Sequence, residues 1–107
     1  MALIIVTDND FEEKVLKASL PVLIDFYADW CGPCKIAGPV LEELSEEYKG
    51  KITIVKVNTD QNKQSSEKYG ILSIPTTVLI KGGQEIDRQV GFAGKTAFED
   101  LIKKGLE

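Results

Sequence analysis

Val22-Leu23-Ile24-Asp25-Phe26-Tyr27-Ala28 is a near-continuous apolar run. A run of this kind suits a β-strand buried on both faces, and such strands sit in sheets that helices cover from either side. The neighbouring segments supply those helices. Thr7 with Asp10 three residues on resembles a capping box, and Phe11, Val15 and Leu16 then fall on one face at helical spacing. Pro21 closes that region. Cys31 to Tyr48 reads as the longest helix, with Ala37, Val40, Leu41, Leu44 and Tyr48 recurring every three or four residues. Pro39 lies inside it, removes the hydrogen bond to the Lys35 carbonyl and is predicted to kink it, and Gly50 stops it.

The rest of the chain continues the alternation. Leu3 to Val6 reads as a short buried strand and Ile52 to Val57 as another. Asn58 to Tyr69 is polar and weakly helical, closed by Gly70. Thr76 to Ile80 is β-branched and strand-like. Gly82-Gly83 is a hairpin signal, so Glu85 to Val90 is predicted as an antiparallel edge strand. Lys95 to Lys104 is a last amphipathic helix with Phe98, Leu101 and Ile102 inward, and Lys103 and Lys104 suit its negative end. The order β-α-β-α-β-α-β-β-α predicts an α/β fold. Its mixed central sheet has about five strands, with parallel crossovers and one terminal antiparallel hairpin, and about four helices cover its two faces. No repeat, low-complexity stretch or linker divides it, so residues 1–107 are expected to form a single domain. A chain of 107 residues buries roughly two-thirds of its unfolded surface and needs no disulfide staple or structural metal.

Composition removes several kinds of chemistry. There is no histidine, which excludes Ser-His-Asp and Cys-His catalysis and His-bearing zinc sites. Two cysteines cannot complete a four-thiolate metal site within one chain, so no metal is expected. The net charge of −4 argues against nucleic acid as a partner. Met1 to Val6 is apolar but short, lacks a basic flank and runs into Asp8 and Asp10, unlike a signal peptide. No run approaches the ~20 apolar residues of a membrane span. The expected location is the cytoplasm, where thiols stay reduced, and close cysteines there point to redox or metal chemistry before structure.

The two cysteines stand in Trp30-Cys31-Gly32-Pro33-Cys34-Lys35, between the buried strand and the long helix. At a helix start, residues three apart share one face with Cβ atoms ~5–6 Å apart, close to disulfide distance. Pro33 suits a first turn, where its missing N–H costs little, and Gly32 leaves room for another backbone to approach. Unpaired N–H groups and the helix dipole favour a thiolate there. Cys31 is expected to be the exposed attacking thiol and Cys34, one turn in, the resolving one. Two plainer readings stand beside this. A structural disulfide closing four residues gains only roughly 2 kcal/mol. Half of a zinc or iron–sulfur site shared between chains fits poorly with Pro33 between the ligands and no second pair.

This motif resembles the active site of the thioredoxin family. Ser73-Ile74-Pro75-Thr76 resembles the family's cis-proline loop, and Asp25-Phe26-Tyr27-Ala28-Asp29 the strand leading into the site. The match runs from about Leu3 to Leu106, and the Gly-Pro pair between the cysteines is similar to thioredoxins rather than to oxidising relatives, which often carry a His there. The resemblance implies a three-layer thioredoxin-like fold and a dithiol-disulfide oxidoreductase that reduces protein disulfides through reversible oxidation of Cys31 and Cys34. It implies no bound cofactor. The partners implied are disulfide-containing protein substrates and a thioredoxin reductase, an NADPH-linked flavoprotein first and a ferredoxin-linked enzyme second. A monomer is expected.

Supporting residues carry over one by one. Asp25 is an acid inside an apolar strand, and burial raises a carboxyl's proton affinity. By resemblance it exchanges the proton of Cys34, and Lys56 on the next strand neighbours it; an ordinary solvated lysine is the alternative. The resemblance makes the Ile74–Pro75 bond cis, puts Pro75 against the cysteines and offers the Ile74 backbone to an extended substrate. Gly91 leaves a flat approach for a partner and Trp30 packs beside the motif; more plainly, Gly91 ends a strand and Trp30 is core. Tyr27 stands where many thioredoxins have Trp, Gly38 weakens the long helix, and Leu72 occupies a loop position often basic in relatives. These departures bear on partner preference. Two other roles remain open on the same fold: a binding module using the surface around Trp30, Ile74 and Gly91, and an oxidant or isomerase.

Overall fold

The apolar run becomes the middle strand of the sheet. In the computed structural model, which describes residues 3–107, the chain forms nine elements in the expected order. They are β1 (Ile4–Ile5), a short π-wound helix α1 (Glu12–Leu16), β2 (Val22–Tyr27), α2 (Gly32–Glu47), β3 (Thr53–Asn58), α3 (Lys63–Lys68), β4 (Thr76–Lys81), β5 (Gln84–Val90) and α4 (Lys95–Leu106). The first two residues of the expected 1–107 domain, and of the apolar start at Met1, lie outside the described range.

The sheet order is β1-β3-β2-β4-β5. Strands β1, β3 and β2 are parallel, β2 pairs antiparallel with β4, and β4 pairs antiparallel with β5. Side chains of β2 alternate. Val22, Ile24 and Phe26 join Val6, Phe11, Val15, Val55, Val57, Val78 and Ile80 on the face covered by α1 and flanked by Tyr69 and Ile71. Leu23 joins Ala37, Leu41, Leu44, Ile54, Leu79, Phe98, Leu101 and Ile102 on the face covered by α2 and α4. Three layers result, with an apolar core on each side of the sheet. The turn between β4 and β5 is the two-residue hairpin, with Gly82 and Gly83 at φ 62° and 80°. Left-handed conformation at both positions matches the strand twist and suits glycine.

Two expectations are corrected. The sheet has two antiparallel pairings rather than one, because β4 opposes β2 although a helix precedes it. The chain enters β4 at the end of the sheet where it leaves β3, with the short α3 packed into that connection instead of a helix running the length of the strands. The first strand is also shorter than Leu3 to Val6 and is not buried: Ile4 and Ile5 are 41% and 60% exposed at the sheet edge. Val6 alone of this segment is fully buried. Helix α2 continues through Pro39 to Glu47. Among the described residues, no helix is long and apolar enough to cross a membrane.

Candidate functional site

The site lies where β2 hands over to α2. Cys31 is the N-cap of α2, in extended conformation at φ −86° and ψ 114°. Its Sγ accepts the N–H of Cys34 at 3.3 Å, which satisfies one of the donors a helix start leaves unpaired. Pro33 sits in the first turn, as its missing N–H predicts. Cys31 and Cys34 are joined as a disulfide with Cα atoms 5.3 Å apart. Gly32 is exposed and a Cβ on it would meet nothing within 4 Å, so the approach over the motif is open.

The expected difference in exposure is not there. Cys31 is 4% and Cys34 5% exposed, so both sulfur-bearing residues are buried in the disulfide form. They pack with Ala28 in a small apolar cluster, and Tyr27 and Ile74 pack against that cluster. The asymmetry between the sulfurs is electrostatic instead: Cys31 is the one at the cap, accepting a helix N–H.

The loop opposite comes from the start of β4. The Ile74–Pro75 bond is cis. Thr76 Oγ1 donates to the Ser73 carbonyl at 2.6 Å, and Gly91 N–H donates to the Pro75 carbonyl at 2.8 Å. That bond seats Gly91 beside the loop, just after β5, at φ 81° with open space where a side chain would stand. Trp30 is not core. It is 70% exposed, and its indole Nε1–H donates to Asp60 Oδ2 at 2.8 Å. Trp30, Thr59, Ile71, Leu72, Ser73 and Ile74 line a hollow of about 360 Å³ beside the disulfide. Leu72 at its rim is 99% exposed.

The acid Asp25 lies in β2, the strand that leads into the motif. Asp25 is 2% exposed, and burial pushes its carboxyl up to about 7 although the Lys56 charge pulls it down. Lys56 is directly opposite Asp25 in the β2–β3 register and half-buried, with Nζ 5.1 Å from the Tyr27 ring centroid. A cavity of about 310 Å³ brings Lys56, Tyr27, Gly38 and Glu42 together with Cys34. The structure therefore packs Ile74 against Cys31 and Cys34, holds Gly91 to the adjoining Pro75, and brings Lys56, the register partner of Asp25, into one cavity with Cys34. Among the described residues no three His, Cys, Asp or Glu side chains converge as metal ligands.

Sequence reading missed Asp60 and Asn58. Asn58 Oδ1 accepts the N–H groups of Asp60 at 2.9 Å and Gln61 at 3.3 Å, and so sets the turn from which Asp60 reaches Trp30. Asn58 is 6% exposed, and an Asn that ends β3 ahead of the Thr59-Asp60 turn is the one local sign of this role.

The family model described as Thioredoxin matches residues 2–104. "Thioredoxin 1" of Nostoc sp. is 50% identical over 101 residues, 94% of each chain. "Thioredoxin" of Synechocystis sp. is 48% identical over 101 residues, again 94% of each. "Thioredoxin" of Haemophilus influenzae is 46% identical over 99 residues, 92% of each. With the five-stranded mixed sheet, the four helices and a redox-active Cys31–Cys34 pair at the start of α2, the chain belongs to the thioredoxin family of protein-disulfide oxidoreductases.

Proposed function

We propose that this chain, a single domain over residues 1–107, works as a reductant of disulfides in other proteins. In the reduced form the Cys31 thiolate attacks a substrate disulfide; one Cys31–substrate S–S bond forms and the substrate bond breaks, releasing a substrate thiolate. Cys34 then gives up its proton, attacks Cys31 Sγ and releases the second substrate thiol. The chain leaves with the Cys31–Cys34 disulfide, and two electrons have passed to the substrate. The observation that carries this reading is the position of Cys31 at the N-cap of α2, accepting the Cys34 N–H, where negative charge on sulfur is stabilised.

The neighbouring residues divide the work. Asp25 takes the Cys34 proton, a water in the cavity behind Cys34 relaying it, and Lys56 sets the local field. Its carboxyl, pushed up to about 7, suits both accepting and returning a proton near neutrality. The Ile74 backbone pairs with an extended substrate segment as an added strand, Pro75 and Gly91 keep that approach open, and Trp30 shields one flank. Gly32 and Pro33 shape the turn between the sulfurs. A thioredoxin reductase, NADPH-linked flavoprotein in class, returns the two electrons. The proposed setting is a monomer in the cytoplasm serving electron transport and redox homeostasis, with no metal or bound cofactor.

Reduction of insulin disulfides by dithiothreitol tests the reading. The chain should accelerate it, and Cys31→Ser should abolish the acceleration. A folded protein with free thiols and no turnover would favour the binding role instead.

A further inference from the structure

Asp25 and Thr77 oppose each other in the antiparallel β2–β4 register and so share one face of the sheet. With Lys56 they form a polar row, Lys56–Asp25–Thr77, beside the apolar row of Ile54, Leu23 and Leu79. Thr77 is fully buried and Asp25 nearly so. Among the described residues, Asp25 Oδ1 and Thr77 Oγ1 are the two buried side-chain oxygens with no hydrogen-bond partner in the protein. Buried polar groups are rarely left unpaired, and here the two unpaired atoms belong to directly opposed residues on one face of the sheet. Cross-strand neighbours hold their Cβ atoms about 4.5–5.5 Å apart, so both side chains are in reach of one water that hydrogen-bonds to each, and a buried water typically serves polar groups left unpaired in this way.

We propose that Thr77 is a positioning residue for Asp25, its hydroxyl holding the carboxyl in place through one shared internal water. This rests on the reading of Asp25 as the group that exchanges the Cys34 proton. A hydroxyl suits the position because it donates to a carboxylate and accepts from a carboxylic acid. The bond to the ionised form is the stronger, so Thr77 lowers the acid's hold on its proton. The charged and titratable groups on this side are Lys56 from β3, opposite Asp25, and Tyr27 from β2, which feels its charge. Asp29, Cys34, Lys35 and Glu42 line the cavity that Lys56 and Tyr27 share. The side chains that α4 packs on this face, Phe98, Leu101 and Ile102, are apolar. Thr77 is the polar group that β4 contributes.

The test is the titration of the Asp25 carboxyl carbon by NMR in the oxidised protein, alongside the pH profile of insulin reduction. Thr77→Val keeps the branched shape and removes the hydroxyl; its Asp25 midpoint should rise by about one pH unit, and the activity profile should move with it. Thr77→Ser, which restores a hydroxyl, should return both to the original values. An unchanged midpoint in Thr77→Val, or a Thr77→Ser that behaves like Val, overturns the proposal. Asp25→Asn separates the underlying reading. If it leaves the pH profile of reduction intact while Thr77→Val still moves the Asp25 titration, the proton-exchange role of Asp25 fails and the Thr77 pairing stands.

Discussion

At Asp25 two effects oppose each other. Removal from water favours the neutral acid, and the Lys56 charge favours the ionised one; burial wins, leaving the carboxyl at about 7. A carboxyl with a folded pKa above its unfolded value binds more protons in the native state. Its stabilising effect is whole below pH ~4 and is lost as pH rises through about 7. The shift from 3.8 corresponds to roughly 4 kcal/mol once the loss is complete, and Asp25→Asn removes that dependence. Chemical denaturation at pH 7 should show the variant more stable by about 2–4 kcal/mol, while its rate of disulfide reduction falls. Equal or lower stability with full activity would sink the assignment. The anomaly was visible in the run Val22 to Ala28, where one acid interrupts apolar residues. Its partner in the same predicament, Thr77, was not visible, since a threonine in a β-branched strand is ordinary until the register sets it against Asp25.

At the scale of the elements, two helical glycines show why propensity alone decides little. Gly38 in α2 and Gly105 in α4 each forgo about 1 kcal/mol of helix propensity relative to alanine. A Cβ on Gly38 meets nothing within 4 Å, so Gly38→Ala should stabilise the protein by about 0.5–1 kcal/mol. A Cβ on Gly105 would lie 3.0 Å from Leu79 Cδ1 and 3.3 Å from Pro21 Cβ. Leu79 is fully buried and the proline ring is rigid, so neither yields freely. Gly105→Ala should therefore destabilise by about 1–2 kcal/mol despite the better propensity. Thermal melts of the two variants check the opposite signs; a rise in both would mean that the Gly105 neighbourhood relaxes. The boundaries of α2 were legible to within a residue because Cys31, Pro33 and the apolar stripe carry local signals. Strand β1 was overread, since an apolar segment reads alike at an edge and at the centre.

Across the whole molecule, the carboxyls pull stability in two directions with pH. Burial pushes Asp8 up, but the Ser65 hydroxyl and the N–H groups of Ser65 and Gln64 outweigh it and hold it low. The Lys14 side chain and the Thr7 N–H lower Asp10, and Lys104 and the Arg88 N–H lower Asp87. Each of these contributes stability that is present above pH ~4 and lost on further acidification, whereas Asp25 gains as pH falls from 7. The oxidised protein should be most stable in mildly acidic solution, gaining about 2 kcal/mol between pH 7 and pH 5 and losing stability below about pH 4. Urea unfolding across that range measures it, and a maximum at or above neutrality would contradict the burial of Asp25 as the dominant effect. Asp8 also joins distant parts of the chain. It accepts from Ser65 and Gln64 at the start of α3, while Asn62 accepts its N–H and donates to the Asn58 carbonyl. That route ends at Asp60 and the exposed Trp30.

By itself the sequence determined the order of elements, the two faces of the central strand and the redox motif at a helix start. Those follow from periodicity, glycine and proline positions and the spacing of two cysteines, all of which act between residues near each other in the chain. Tertiary structure alone decided the antiparallel entry of β4, the burial of both cysteines in a cluster that Ile74 packs against, the bond from Trp30 to Asp60 and the register that sets Asp25 opposite Thr77. Each of these depends on which strand lies next to which and in what register. Register is set by the packing of both sheet faces together, and no local stretch of the chain carries it.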